Sequence, residues 1–139
     1  MRKFLTISLF GLLLLSAACG SHATADTGKV IKSAQADNNL TVTLSNEAGA
    51  LKQGDEEFTL TLKDASGKPV EAGAVALNFL MPAMGTMSAM SSQTTFTTTD
   101  TPGVYRGKAQ IEMSGEWQAH VTYEGPTGRG RTSFPVTVQ

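Results

Sequence analysis

The stretch Phe58-Thr59-Leu60-Thr61-Leu62 alternates apolar and polar residues without a break. Successive side chains of a strand point to opposite faces, so this run reads as a strand with one face in a core. The same period recurs on both sides. Upstream, Leu40, Val42 and Leu44 alternate with Thr41 and Thr43. Downstream, one parity is kept by Val75, Leu77 and Phe79, by Tyr105, Ala109, Ile111 and Met113, by Trp117, Ala119, Val121 and Tyr123, and by Phe134, Val136 and Val138. Turn signals separate these runs: Asp64-Ala65-Ser66-Gly67-Lys68-Pro69, Thr101-Pro102-Gly103, Ser114-Gly115 and Gly125-Pro126-Thr127-Gly128. Thr94-Thr95-Phe96-Thr97-Thr98-Thr99 has high β-propensity and one apolar residue, as suits an exposed edge strand. The body carries no convincing helical stripe. Short alternating runs broken by Gly-rich turns predict an all-β fold, an antiparallel β-sandwich of about seven strands.

Composition narrows the function. The chain has 139 residues, 12 acidic and 11 basic side chains, one Cys and two His. Near-zero net charge gives no electrostatic footprint for nucleic acid. One Cys makes neither an internal disulfide nor a multi-thiolate zinc site, and two His fall short of a three-imidazole zinc centre. There is no Gly-flanked Ser nucleophile, no phosphate-binding loop and no carboxylate pair of distinctive spacing. The expectation is a non-enzymatic, monomeric protein.

The N-terminus reads as a targeting segment. Arg2 and Lys3 precede the apolar run Phe4–Leu15, and the small residues Ser16-Ala17-Ala18 lead into Cys19. The run is too short to span a bilayer, and its flanks are those of a signal peptide. The junction resembles the lipobox of bacterial lipoproteins, with Ser16 in the position usually held by Leu. That resemblance implies cleavage before Cys19 and a diacylglycerol on its sulfur; the plainer alternative is a cleaved signal peptide that leaves a free thiol. Removing 18 of the 139 residues leaves 121, with 9 basic and 12 acidic side chains. The expected organisation is a signal peptide over 1–18, a lipidated Cys19 and flexible tether over 19–36, and one sandwich domain over 37–139; within the tether, Val30 and Ile31 are the one place where a short entry strand is the alternative to coil. The protein is then held to a membrane in the cell envelope, in the periplasm or on another extracytoplasmic face.

One segment breaks the strand pattern. Residues 81–90 read Met-Pro-Ala-Met-Gly-Thr-Met-Ser-Ala-Met, which places Met81, Met84, Met87 and Met90 at a strict spacing of three. Pro82, Gly85 and the hydroxyl residues disfavour a helix, so a loop is expected. Thioether sulfur is a soft, neutral ligand that selects Cu(I) and, by the same softness, Ag(I). It loses no proton on binding, so such a site is insensitive to mild acid. The competing explanation is adaptable packing or an apolar patch for a partner. Met113 shares the inward parity of Ile111 at the same end of the sandwich, and is either a further ligand or an ordinary core residue. Trp117 begins the next strand there, where its face is a cation cap or, as the stronger reading, the centre of the core. His22 lies in the tether, and His120 faces away from the core.

Gly54, the run Phe58 to Val70, Ala74-Val75, Met81-Pro82-Ala83-Met84, Pro102-Gly103-Val104-Tyr105 and Met113-Ser114-Gly115-Glu116-Trp117 together resemble the YtkA-like domain, which is related to the FixH group. The resemblance covers about residues 40–138. It implies an immunoglobulin-like β-sandwich exported to the cell envelope. It also implies a part in heavy-metal or copper handling, with a copper exporter or a cytochrome oxidase assembly protein as partner. Met87 and Met90 extend the family's Met-Pro-x-Met element. The expected function is binding of a soft metal ion, Cu(I), by Met81, Met84, Met87, Met90 and Met113; the alternative is a non-metal interaction module.

Overall fold

The structure is a computed structural model that describes residues 27–126 and 128–139. Nine strands and one short 3-10 turn follow in the order β1 (Lys29–Gln35), the turn Asp37–Asn39, β2 (Thr41–Asn46), β3 (Gly54–Lys63), β4 (Ala74–Met81), β5 (Met90–Gln93), β6 (Thr95–Thr98), β7 (Val104–Ile111), β8 (Gly115–Gly125) and β9 (Gly128–Val138). They form a five-stranded sheet, β1-β2-β3-β7-β6, and a four-stranded sheet, β5-β4-β8-β9. Neighbours run antiparallel throughout. Without β1, the two orders are A-B-E-D and C′-C-F-G, the strand arrangement of an immunoglobulin-like sandwich.

The alternating runs supply the core. Leu44, Leu60, Leu62, Phe79, Ile111 and Val121 are fully buried between the sheets. Phe58 of one sheet meets Phe79 of the other edge-on, with ring centroids 5.8 Å apart at 89°. Phe58 and Phe96 flank Gly107 as its cross-strand partners on either side. A Cβ on Gly107 would lie 2.5 Å from Phe58 Cε2, so glycine is what lets the two rings close over β7. Trp117 is 1% exposed, and its indole N–H donates to the Met113 carbonyl at 3.0 Å.

Two expectations are corrected. The tether was expected over residues 19–36, but Lys29–Gln35 is an ordered strand paired with β2 along its length. From it, the connection to β2 reaches across to β9. Thr132 Oγ1 donates to the Gln35 carbonyl (2.7 Å), the Arg131 amide to Asp37 Oδ2 (3.1 Å) and Asn38 Nδ2 to the Arg129 carbonyl (3.2 Å), while the Tyr123 hydroxyl donates to the Asp37 carbonyl. The segment is ordered by these polar groups near the end of the chain together with the packing of Ile31, Ala34 and Ala36 against the core. The second correction is the strand number, nine among the described residues where about seven were expected. β5 and β6 are one edge run that changes sheets. Met90–Gln93 pairs with β4 and Thr95–Thr98 with β7, and the break falls at Thr94, whose N–H donates to the Leu77 carbonyl at 3.1 Å. The signal peptide over 1–18, Cys19 and His22 lie outside the described residues.

Loss of Trp117 leaves a large cavity and an orphaned carbonyl, so Trp117→Ala should cost about 3–5 kcal/mol of stability by denaturant unfolding. Burial raises the Tyr123 phenol above its ordinary value, and the Asp37 carboxylate raises it further. The fold thus favours the neutral phenol. That stabilisation is fully present below pH about 10 and is lost as pH climbs from there through the raised value. Unfolding midpoints of the parent should therefore fall more steeply above pH about 10 than those of Tyr123→Phe, which should itself cost about 1 kcal/mol at neutral pH.

Candidate metal site

Residues 81–90 form the tip of the β4–β5 hairpin. Asn78↔Gln93, Phe79↔Ser92, Leu80↔Ser91 and Met81↔Met90 pair in one unbroken register. The same register reappears beyond a gap as the isolated bridge Met84↔Met87. Pro82 has no N–H to give to a ladder, which accounts for the gap after Met81. The Met84 amide donates to the Met87 carbonyl at 3.2 Å, and the Met87 amide to the Met84 carbonyl at 2.9 Å. They close a two-residue turn with Gly85 first, at φ 57. Glycine in that first position is the mark of a type II′ hairpin turn, whose twist matches that of the flanking strands.

The spacing of three now has a geometric meaning. The methionines are placed symmetrically about the Gly85–Thr86 step, so they meet as two cross-strand pairs, Met81 with Met90 and Met84 with Met87. Directly opposed residues project their side chains from the same face, with Cα atoms about 5.5 Å apart when they exchange both hydrogen bonds. The two pairs differ in environment. Met81 is 3% exposed and belongs to the core, and Met90 is half-buried against it. Met84 and Met87 are 57% and 42% exposed.

Met113 is half-buried against the core below the hairpin, and its carbonyl is occupied by the Trp117 indole. The Met81 methyl lies 3.1 Å from where a Cβ on Gly115 would stand, so hairpin and β7–β8 turn are neighbours at one end of the sandwich. The structure thus brings Met84 and Met87 together in the open, with Met90 at their base, and sets Met81 and Met113 into the packing. Trp117 is buried in the core rather than displayed to a cation. His120 points away from the hairpin, with Nδ1 at 2.9 Å from Ser133 Oγ.

The chemistry of the tip is soft and neutral. From Ala72 to Thr99 the chain carries no Asp, Glu, Lys, Arg or His. Among the described residues there is no group of three His, Cys, Asp or Glu able to hold a metal. The donors on offer at the tip are thioether sulfurs, the Thr86 and Ser88 hydroxyls and backbone carbonyls, all neutral, a set suited to a soft monovalent ion and lacking the carboxylates a hard divalent one prefers. The Met cluster was legible in the sequence, but its pairing was not. The readable signal was the Gly-Thr step at the centre of symmetry, a Gly-x hairpin turn flanked by two methionines at equal distance.

Gly85→Ala forces an L-residue into the left-handed region at a cost of about 1 kcal/mol, with open space around the new methyl. The turn should loosen while the core is untouched. Hydrogen exchange at the Met84 and Met87 amides should accelerate severalfold, with protection in β3 and β8 unchanged.

Residues 34–122, more than half of the chain, match the YtkA-like family; the match runs from the end of β1 into β8 and takes in the whole hairpin. No curated protein and no solved structure matches the chain. The chain belongs to the YtkA-like family.

Proposed function

We propose that this protein is an exported, lipid-anchored carrier that binds Cu(I) through the Met84–Met87 pair and passes it to a partner in the envelope. The observation that carries the reading is the exposure of that pair. A methionine kept for packing is covered, as Met81 is. Met84 and Met87 are instead fixed side by side by a closed turn and left open to solvent. Met90 lies opposite Met81 on the inward side of the hairpin, and with Met81 and Met113 it holds the platform beneath the pair. Few donors, all uncharged, suit weak binding and ready release, which is what transfer between proteins requires. Cysteine thiolates in an oxidising compartment are drawn into disulfides, whereas thioethers are not. A copper exporter or an oxidase assembly protein is the kind of recipient this chemistry fits.

A second reading rests on Leu80, which is 36% exposed and shares the outward side of β4 with the hairpin tip. Together with the exposed methionines it makes a small apolar patch, a contact surface needing no metal. Replacing Met84, Met87 and Met90 by Leu separates the two, because Leu keeps the apolar volume and removes the sulfur. In anaerobic Cu(I) titrations the parent should bind and the triple variant should not, with equal affinity for the parent at pH 5 and 7. Retained binding in the variant, or none in the parent, would favour the contact surface. For the anchor, Cys19→Ser should move the protein from the membrane to the soluble fraction or block its processing; a processed Cys19→Ser protein that still fractionates with membranes would refute lipidation.

A further inference from the structure

The hairpin and the chain's point of departure toward Cys19 lie at the same end of the sandwich. Lys29 pairs with Asn46, and the ideal Cβ position on Gly28 is 2.5 Å from the Asn46 carbonyl oxygen, so the chain is placed there up to Thr27. That end also holds the β2–β3 connection and the β7–β8 turn, joined by Gln53 Nε2 donating to the Glu112 carbonyl at 2.8 Å. A Cβ on Gly115, which starts β8 at this end, would stand 3.1 Å from the Met81 methyl.

Lengths decide which end faces the membrane. Cys19 to Thr27 is eight residues. Even fully extended, these reach no more than about 28 Å. The sandwich is spanned by β8 and β9, 11 residues each. Strands of that length measure about 36 Å. A lipid on Cys19 therefore cannot leave the far end, with its Asp64–Lys68 turn and β8–β9 turn, facing the bilayer. The near end stays within about 28 Å of it.

Of the three connections at that end, the β2–β3 loop carries Glu47 and Lys52 and the β7–β8 turn carries Glu112, while the hairpin carries no charge. Its large exposed side chains, Met84 and Met87, are apolar, and the polar ones beside them, Thr86 and Ser88, are uncharged. Charged loops keep their water, whereas an uncharged thioether-bearing tip enters the headgroup boundary at little cost. Two methionines would bind a free bilayer weakly. The anchor makes the encounter intramolecular, at an effective concentration that weak contacts can fill. We infer that the Met84–Met87 hairpin tip rests on the lipid surface of the membrane that holds Cys19. This deepens the proposed function and rests on its anchor, not on its metal. Cargo on the hairpin would be exchanged at the membrane face, not with a soluble protein in the bulk compartment.

The test uses the full-length lipidated protein in phosphatidylcholine vesicles brominated near the headgroup. Tryptophan is added at the tip as Thr86→Trp or Ala89→Trp, and at the far end as Ala65→Trp, with the Trp117 signal of the parent subtracted. The tip variants should be quenched about twofold and Ala65→Trp not at all, as expected for a residue at the acyl boundary and one held away from it. Adding Met84→Glu and Met87→Glu to Thr86→Trp should abolish the quenching. Adding Met84→Leu and Met87→Leu should keep it, while the same sample loses Cu(I) binding. Equal quenching at both ends, or none at the tip, overturns the inference. So does quenching that requires native membrane proteins, which would point to a protein partner, and so does absence of lipid on Cys19. Cu(I) titration of the same vesicles reads the metal proposal separately, so either can fail alone.

Discussion

The edge-on contact of Phe58 with Phe79 joins the two sheets at the centre of a chain that has one Cys and so no internal disulfide. Everything else is arranged around keeping such contacts dry. Gly107 gives up its side chain so that Phe58 and Phe96 close over it. The Trp117 indole fills the end of the core below the hairpin and spends its one donor on the Met113 carbonyl. Because the inward residues of β4 must meet those of β8, a one-residue slip would turn every core side chain outward. The register of β4 is thereby fixed, and that of β5 with it. The hairpin tip inherits the same register, so the positions of Met84 and Met87 follow from the packing of the core.

The core strands were legible because a half-buried strand must alternate, and Leu40 to Leu44, Phe58 to Leu62 and Trp117 to Tyr123 do so. β1 was legible only as a short entry strand at Val30-Ile31, the alternative to coil there, for the converse reason. It is an edge strand that buries little, with Ile31 and Ala34 half-buried against the core and Val30 60% exposed. What orders it is the ladder to β2, side-chain bonds such as Ser33 to Thr43 at 2.9 Å, and the reach of Gln35, Asp37 and Asn38 to β9, some 90 residues away in the sequence. Polar groups meeting across that separation leave no local pattern. The change of sheet at Thr94 was hidden in the same way, in a run of threonines whose two halves look alike.

At the hairpin the sequence disclosed the residue types and concealed the pairing. The spacing of three, with Pro82 and Gly85 inside it, pointed to a loop. It is instead the trace of a symmetric hairpin, interrupted by Pro82 and turned at Gly85. The pairing sorts the candidate ligands by environment. Met81 and Met113 serve the packing, Met84 and Met87 face solvent, and Met90 stands between them. The absence of charge from Ala72 to Thr99 gives the tip one further property. Neither protons nor ionic strength should govern what it binds, whereas oxidation to sulfoxide should, since it turns each soft thioether into a hard, bulkier oxygen donor.

The central claim is that Met84 and Met87 are the primary soft-metal ligands and Met81 is not. The most direct measurement is NMR of the protein labelled with 13C in the methionine methyl groups, titrated with Ag(I) as a redox-inert soft ion. The Met84 and Met87 methyl signals should shift first and together, with a smaller shift at Met90 and none at Met81. A spectrum in which no methyl signal moves, or in which Met81 moves while the exposed pair stays in place, would contradict the account.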